Sequence, residues 1–352
     1  MMSEQLVITD NISASSLMLN SQQIKGNPFF AYLATQGSTL SVMNIRSRLN
    51  GYAQFRGAPN AASFDWGQLT YVSVLAYRTY LLNRSKKDPD KKDLSATSVN
   101  TIVVALRGIA NIARRMRILS REEWEAIQSI KQLRSYRSPT GRSMTPKESQ
   151  YLLSSADFTE KKGARDKAIL ALLLGCGLRR DEVAKIELKN VDLPRNSIRL
   201  IGKGNKERKV FLTDKIKRLV INWLQFRGSE KGYLFGRLTR GKRTLDVTRP
   251  LHPTSIYRIV EDCWSKAADN IAEGKYQTAA PETRRIINKE DLRPAKISTH
   301  DLRRTFATRM LAKGTDIVLV QHLMGHASVT TTAKYDRRGE DEMKQAMQGY
   351  EL

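Results

Sequence analysis

The spacing of apolar residues is the feature that most constrains the fold of this chain. Before residue 134, apolar residues recur at three- and four-residue intervals in four segments, so each segment is predicted to form an amphipathic helix. No part of this region has the alternating pattern of a good strand. The segments are Phe29 to Phe55, Leu69 to Leu82, one that opens at Ser95 or Thr97, and one that opens at Ser120.

A segment with almost no apolar residues follows these helices. Residues 134–143 (RSYRSPTGRS) combine Pro139 and Gly141 with several arginines, a composition typical of an exposed linker. Directly after it, Thr145 can cap a helix, Pro146 suits its first position and Glu148 can complete a capping box. We therefore predict a polar leader (1–25), a helical domain (26–133), a linker (134–143), a second domain (144–338) and a tail helix (339–352).

The second domain is predicted to be mostly helical, with one small β-hairpin. Residues 197–201 alternate apolar and polar side chains, residues 202–205 have the composition of a turn, and residues 209–212 become apolar again. The tail carries Met343, Met347 and Tyr350 at helical spacing, so its helix could dock on a neighbouring copy or on its own domain. The fold class is therefore mostly α, with a small hairpin or sheet in the second domain.

The charge of the chain indicates a polyanionic partner. Lys and Arg number 60 against 35 Asp and Glu, a formal net charge of +25, which favours nucleic acid. An anionic membrane is the alternative, but the longest apolar run, Ala168 to Leu174, is far below the roughly 18 residues of a membrane span. No secretion signal is visible, and Cys176 and Cys263 are predicted to be buried thiols and not a disulfide, so we expect a cytoplasmic location.

Two basic motifs could contact phosphate. Arg179 and Glu182 share a helix face at i,i+3 spacing, so the glutamate can hold the arginine while its other donors reach outward. Lys203 lies between two glycines in the hairpin turn, where its ammonium projects from a sharply folded backbone. With Lys206, Arg208 and Lys209 it would form a phosphate-contacting arm. The alternatives are a surface ion pair and a solvated turn lysine.

Histidines supply a third motif and a possible metal pair. His300 and Arg303 share a face of a helix that Ser298 or Thr299 can cap, which suits an anionic reaction centre or merely a solvent-facing helix. His322 and His326 are four residues apart, but no acidic residue lies between them, and Gly325 is expected to end the helix. We expect His322 to pack internally and His326 to face the site, with no metal and no cofactor.

Tyr335 lies nine residues beyond His326, in a polar stretch that is unsuited to burying an aromatic ring. An exposed tyrosine carries little meaning by itself. It gains meaning here from the motifs that precede it: G-L-R at 177–179, G-K-G at 202–204, H-D-L-R at 300–303 and G-H at 325–326.

In this order and spacing, the motifs resemble those of the tyrosine recombinase (phage integrase) family, over roughly residues 145–340. The four-helix domain is similar to that family's core-binding domain in architecture and position only. One departure is the stretch 270–296, which is longer than the connection expected before the H-x-x-R helix. The resemblance implies a site-specific recombinase that cuts and rejoins double-stranded DNA, for integration, excision or resolution, without metal or ATP.

The resemblance also implies a role for each matched residue. Tyr335 would be the nucleophile, Arg179 and Arg303 would bind the scissile phosphate, and His300 and Lys203 would transfer protons. His326 occupies the position of the last catalytic His or Trp, and Glu182 that of the acidic residue supporting the first arginine. We expect a tetramer on two DNA sites, and a monomer or dimer in free solution. The predicted DNA contacts are Lys206, Arg208, Lys209 and Arg304.

Three other functions remain open at this point. A type IB topoisomerase uses a related tyrosine to relax DNA as a monomer. A non-catalytic, sequence-specific DNA-binding protein would use the basic residues only to hold phosphates. A metal-dependent nuclease would need ligands that the motifs do not supply. Protein covalently attached to nicked DNA after denaturation would distinguish a recombinase from a DNA-binding protein.

Overall fold

The structure is a computed structural model that divides into two compact units, Met1–Arg137 and Ser138–Leu352. The division falls inside the segment that the sequence predicts to be a linker. The structure describes residues 5–6, 19–20, 24, 26–134, 141–157, 159–201, 207–239, 244–278 and 289–336.

The first unit is helical. Its described helices are α1 (Pro28–Ala34), α2 (Thr39–Phe55), α3 (Tyr71–Leu82), α4 (Ala96–Arg115) and α5 (Arg121–Ser129). The single helix predicted from Phe29 to Phe55 was wrong, because Ser38 interrupts it: its side chain accepts a hydrogen bond from the backbone N–H of Ser41 and starts α2. Ser95 and Ser120 cap α4 and α5, as predicted.

A short pair of strands precedes these helices. Strands β1 (Gln5–Leu6) and β2 (Leu19–Asn20) pair antiparallel, with Leu6 opposite Leu19. The prediction of no strand before residue 134 was therefore wrong. Two-residue strands are too short to produce the alternation of apolar and polar residues by which strands are recognised in a sequence.

Aromatic rings form the centre of the first unit's core. Tyr52 is fully buried and packs edge-on against Phe64 and Tyr77, with ring centroids 5.6 Å and 5.4 Å away. Its hydroxyl lies 2.6 Å from the hydroxyl of Ser73, and the indole N–H of Trp66 donates to the carbonyl of Ala61 at 2.9 Å. The buried rings therefore keep their polar atoms satisfied, as buried Tyr and Trp require.

Helix α4 is long and apolar enough to cross a membrane, by length and composition alone. The core helix of a soluble protein passes the same test. Here α4 places Val99, Leu106 and Ile109, all fully buried, in the core of the first unit. The helix thus has an apolar face that packs against its own domain.

The second unit combines helices with small sheets. Its described helices are α6 (Pro146–Ser154), α7 (Lys161–Gly175), α8 (Arg180–Ala184), α9 (Asp214–Arg227), α10 (Pro253–Thr278), α11 (Thr299–Ala312), α12 (Ile317–Met324) and α13 (Val329–Ala333). Its strands are β3 (Val191–Asp192), β4 (Ser197–Ile201), β5 (Glu207–Phe211), β6 (Arg237–Leu238) and β7 (Leu245–Asp246).

The predicted hairpin is confirmed as β4 and β5, which pair antiparallel with Arg199 opposite Lys209. Strand β3, which the sequence did not indicate, adds to β4 to make a three-stranded sheet. Strands β6 and β7 form a separate pair. Mostly helical architecture with small sheets is therefore correct.

Helix α7 forms the centre of the second unit. Seven successive residues, Ala168 to Leu174, are buried, and α7 packs against α9, α11 and α6. An apolar run without alternation is what a helix surrounded by other elements requires. Cys176 and Cys263 are both free and buried, as predicted.

Helix α10 extends to Thr278, into the stretch 270–296 that appeared long for a connection. Helix α8, which begins directly after Arg179, is five residues long. The capping box of Thr145 and Glu148 is confirmed. The predicted tail helix lies outside the described residues.

Candidate active site

Four elements of the second unit bring the predicted site residues together. The start of α8 supplies Arg179, the start of α11 supplies His300 and Arg303, the turn after α12 supplies His326, and the residues after α13 supply Tyr335. Hydrogen bonds or ring contacts connect each of them to another part of this group.

Tyr335 is the centre of the group. Its hydroxyl lies 3.1 Å from Nε2 of His300, and its ring stacks on that of His326, with centroids 5.9 Å apart. The residue is only 5% exposed, so the expectation of an exposed tyrosine was wrong. The polar stretch can bury this ring because α11 and α12 supply the apolar surface, through Ala307, Leu311, Val320 and Met324.

Arg303 is buried beneath the site. It donates to the carbonyl of Gly177 and, at 2.7 Å, to the carbonyl of Met324. Burial, together with the nearby charge of Arg179, lowers the pKa of Arg303 to about 10. The guanidinium therefore stays charged at neutral pH, and its contacts within the described residues use two of its five N–H donors.

Arg179 is held at two points but remains partly open to solvent. Its Nη1 donates to Oε1 of Glu182 at 3.0 Å, and its Nη2 donates to the carbonyl of Gly325 at 3.1 Å. The i,i+3 pairing with Glu182 is the one that its spacing predicted. The side chain is 45% exposed, so its remaining donors can reach an anion from outside.

Both histidines of the site are neutral at pH 7. Partial burial lowers the pKa of His300 below its usual 6.5, and the positive charges of Arg304 and Arg303 lower it further. Burial, with Arg303 and Arg179, lowers the pKa of His326 to about 4. The neutral Nε2 of His300 can therefore accept the proton of the tyrosine hydroxyl.

His326 is positioned by its own turn, and His322 is not part of the site. Nδ1 of His326 lies 2.9 Å from the hydroxyl of Thr332, a partner that the sequence analysis missed. Gly325 ends α12, as predicted, and its backbone adopts the left-handed conformation. His322 is exposed, so the expectation that it packs internally was wrong. In the part of the chain that the structure describes, no group of His, Cys, Asp or Glu could hold a metal ion.

The predicted DNA contacts have different surroundings. Lys209 is exposed on β5, whereas Arg304 is 4% exposed and lies over the ring of Tyr335, 5.6 Å from its centroid. Arg208 donates to both carboxylate oxygens of Glu182, at 2.8 Å and 2.9 Å. Lys203 and Lys206 lie outside the described residues.

Glu182 therefore connects two arginines. Burial would raise the pKa of its carboxyl, but the hydrogen bonds and charge of Arg208, with those of Arg179, outweigh burial and lower it to about 2. The carboxylate stays ionised at every pH at which the protein would work. Strand alternation could have predicted that Arg208 faces inward, because it places Arg208 on the same face as buried Val210 and opposite to Lys209, but it does not indicate Glu182 as the partner.

Comparison with known proteins shows the family to which the second unit belongs. The model of the phage integrase family matches residues 142–341, more than half of the chain. A tyrosine recombinase of Pseudothermotoga lettingae is 30% identical over 270 residues, which cover 76% of this chain and 79% of that protein. The tyrosine recombinase XerC of Vibrio cholerae serotype O1 is 28% identical over 315 residues, 87% of this chain and 86% of the relative.

Solved structures share the fold. XerH site-specific recombinase bound to its difH substrate aligns with a TM-score of 0.60 at 21% identity, over 90% of this chain and 81% of that one. The Tn1549 transposon integrase in complex with transposon right end DNA aligns with a TM-score of 0.62 at 16% identity, over 92% and 98%. With the family match over the second unit, these findings identify the chain as a member of the phage integrase family, a tyrosine recombinase.

Proposed function

We propose that this protein cuts and rejoins double-stranded DNA at specific sites through a 3′-phosphotyrosine intermediate, with Tyr335 as the nucleophile. The observation that carries the proposal is the 3.1 Å contact between the Tyr335 hydroxyl and Nε2 of His300, beside two arginines whose donors are not all used. A nucleophile, a neutral base and two fixed cations are the groups that phosphodiester cleavage needs.

The first step is attack on the phosphorus. His300 accepts the phenolic proton while the tyrosine oxygen forms a bond to phosphorus and the bond to the 5′ oxygen breaks. An unperturbed tyrosine has a pKa of about 10, so a base at hydrogen-bond distance matters at neutral pH. The products are a 3′-phosphotyrosine and a free 5′ hydroxyl.

The two arginines act on the charge of the phosphate. Arg303 is buried and donates hydrogen bonds to two backbone carbonyls, whereas Arg179 is partly exposed to solvent. Forked guanidinium donors suit the two non-bridging oxygens and the extra charge that develops when phosphorus becomes five-coordinate. Preorganised donors of this kind typically contribute about 10²–10³-fold each to the rate.

The leaving oxygen needs a proton, which we assign to Lys203 from its place in the sequence motif. The phosphotyrosine bond conserves the energy of the broken ester, so a 5′ hydroxyl from another strand can reverse the step without ATP. Strand exchange between two sites uses four such centres. We therefore propose a tetramer on two DNA sites, acting in the cytoplasm on nucleoid DNA, with Lys206 and Lys209 as phosphate contacts.

A trapping experiment tests the proposal. The protein is incubated with sheared genomic DNA of its source, stopped with detergent, and the protein-linked DNA is digested and mapped by mass spectrometry. We expect a phosphonucleotide on Tyr335 and no covalent species from Tyr335→Phe, which loses one oxygen and little volume. Tyr350→Phe is the matched control, because Tyr350 is the one tyrosine downstream of Tyr335.

Each alternative has its own outcome. Persistence of the covalent species in Tyr335→Phe, or a nucleotide on Tyr350, would contradict the assignment of the nucleophile. Binding without any covalent species in the wild type would indicate a DNA-binding protein. Relaxation of supercoiled DNA by a monomer, without strand exchange, would indicate a topoisomerase.

A further inference from the structure

Arg208 makes the tightest ionic contact of the site. Its Nη1 donates to Oε1 of Glu182 at 2.8 Å and its Nη2 to Oε2 at 2.9 Å, a bidentate pair that fixes both the position and the plane of the carboxylate. The two side chains are 17% and 9% exposed. A pair so shielded from solvent is screened far less by salt than an exposed one.

The same carboxylate also holds Arg179. Its Oε2 accepts from the backbone N–H of Arg179 at 2.8 Å, and its Oε1 accepts from the Arg179 guanidinium at 3.0 Å. Glu182 thus receives donors from two arginines, but only Arg179 has a side chain open to solvent at nearly half of its surface. Arg208 therefore holds the carboxylate of Glu182, and this carboxylate in turn holds Arg179.

Arg208 also lies against the turn that carries His326. A β-carbon added at Gly325 would meet Nη1 of Arg208 at 2.8 Å and its Cζ at 2.9 Å, so the guanidinium lies directly against this glycine. The carbonyl of Gly325 accepts from Arg179, and that of its neighbour Met324 accepts from Arg303. Arg208 thus lies against the turn whose carbonyls accept hydrogen bonds from Arg179 and Arg303.

The sequence assigned Arg208 to DNA, together with its neighbours on the hairpin. Glu182 takes one N–H from each terminal nitrogen of Arg208, the Nε of Arg208 is buried, and the side chain is 17% exposed, so little of this guanidinium is open to a DNA phosphate. Lys209, on the opposite face of the strand and exposed, is free of that constraint.

We propose that Arg208 is a positioning residue for the cleavage reaction, and not a DNA contact: it holds the carboxylate of Glu182 in place so that Glu182 directs Arg179 toward the phosphate. The inference rests on the proposed function and adds a residue to it. It also couples the β-hairpin to the catalytic helices, since Arg208 connects β5 to α8 and to the turn after α12.

The test compares Arg208→Met and Arg208→Lys with two control variants on a nicked duplex carrying the site recovered by trapping. Lys209→Met removes an exposed charge from the next position of the strand. Arg195→Met removes an arginine from an exposed ion pair with Asp192, outside the site. Affinity is measured against salt, and the rate of covalent-complex formation is measured at saturating protein.

We expect Arg208→Met to bind the duplex with unchanged salt dependence and to cleave about 100-fold more slowly, the scale of effect of misplacing a catalytic group by about 1 Å. The cleavage rate of Arg208→Lys should lie between those of the wild type and Arg208→Met, because a lysine keeps the charge but cannot make the bidentate contact. Lys209→Met should lose affinity and about one unit of salt slope, which is the result expected for the loss of one phosphate contact. Arg195→Met should match the wild type in both measurements.

Two further readouts separate positioning from a general structural effect. Arg208 makes the largest contribution that opposes the effect of burial on the pKa of Glu182, so this pKa should be higher in Arg208→Met, and the rate of the variant relative to wild type should fall further as the pH is lowered. If Arg208 acts through Glu182, the double variant Arg208→Met, Glu182→Gln should be no slower than the slower single variant.

The outcomes are distinguishable. Reduced affinity and salt slope with an unchanged rate in Arg208→Met would overturn the inference and restore a DNA contact. Additive losses in the double variant would overturn it as well, and Arg208→Lys supplies the same comparison if Arg208→Met does not fold. A wild-type protein that forms no covalent species would instead overturn the proposed function, and this inference with it.

Discussion

Tyr335 combines a covered ring with a hydroxyl at hydrogen-bond distance from a base. Its ring stacks on that of His326, the guanidinium of Arg304 lies over it, and it packs with apolar residues of α11 and α12. Such packing restricts the ring to few rotamers, so the hydroxyl stays near His300. At the residue scale, the site is preorganised by packing as much as by hydrogen bonds.

The first prediction concerns Arg303. Arg303→Lys should bind DNA with near wild-type affinity and cleave roughly 10²–10³-fold more slowly, because one ammonium cannot hold two carbonyls and a phosphate with the geometry of a guanidinium. Cleavage at saturating protein measures the effect. Arg309→Lys is the matched control, since Arg309 lies on the same helix and donates to Met144 and Ser149, outside the site. A rate within a few fold of wild type for Arg303→Lys would remove this residue from the site.

The second prediction concerns pH and His300. The neutral imidazole is the active form, and its pKa lies below 6.5, so the cleavage rate should be flat from pH 8 to 7 and fall only below about 6.5 as His300 becomes protonated. His326, with a pKa of about 4, does not titrate in that range. His300→Gln should cleave more slowly, and its rate should no longer fall at acidic pH, the part of the profile called the acid limb.

The control for this profile is His322→Gln, which removes an exposed histidine and should leave the curve unchanged. An acid limb that survives in His300→Gln would assign the titration to a different group. A limb centred well above 6.5 would contradict the lowered pKa of His300.

At the scale of elements, two glycine turns connect the helices to the site. Gly177 follows α7 with a φ of 60°, and Gly325 ends α12 with a φ of 63°. Their carbonyls accept hydrogen bonds from Arg303 and Arg179, respectively. Left-handed backbone at these positions favours glycine, so the turns determine where the acceptors lie.

The third prediction uses the space around Gly177. A β-carbon there would lie 2.4 Å from the ring of Phe306 on α11, so Gly177→Ala should destabilise the protein by roughly 1–3 kcal/mol beyond the cost of its positive φ and should slow cleavage. Gly314→Ala is the control, because Gly314 also has a positive φ, of 79°, and nothing lies within 4 Å of the added carbon. Urea unfolding of both variants measures the difference, and equal losses would contradict the argument.

At the scale of the whole molecule, the large positive charge of the chain favours binding to an anionic partner. A formal net charge of +25 is spread over two compact units, and the described part of the hairpin presents Arg199 opposite Lys209 on its exposed face. Like charges directly opposite each other are unfavourable in isolation. An anionic partner along this face would remove that repulsion.

The fourth prediction follows from this charge. If about six phosphates are neutralised, affinity for DNA should fall by about 10³ or more between 50 and 200 mM salt, because bound counterions are released when the protein binds. Titrations at several salt concentrations measure the slope. A nearly flat dependence would contradict a DNA-binding surface on this scale.

The sequence by itself determined the local features of this protein. The capping residues Thr145 and Ser120, the hairpin and the glycine that ends α12 depend on neighbours within a few residues, and the structure agrees with each. The ordered motifs also indicated which side chains would meet, because the resemblance to the phage integrase family supplied long-range information that no single motif contains.

Only the tertiary structure decided which side chains are covered and which partner each one takes. Tyr335 is buried by helices that begin more than 15 residues before it, and Arg208 finds a carboxylate 26 positions away. His322 is exposed although it lies on an apolar helix. Burial and ion pairing are set by surfaces that meet from distant parts of the chain, and the local polarity of a segment does not contain that information.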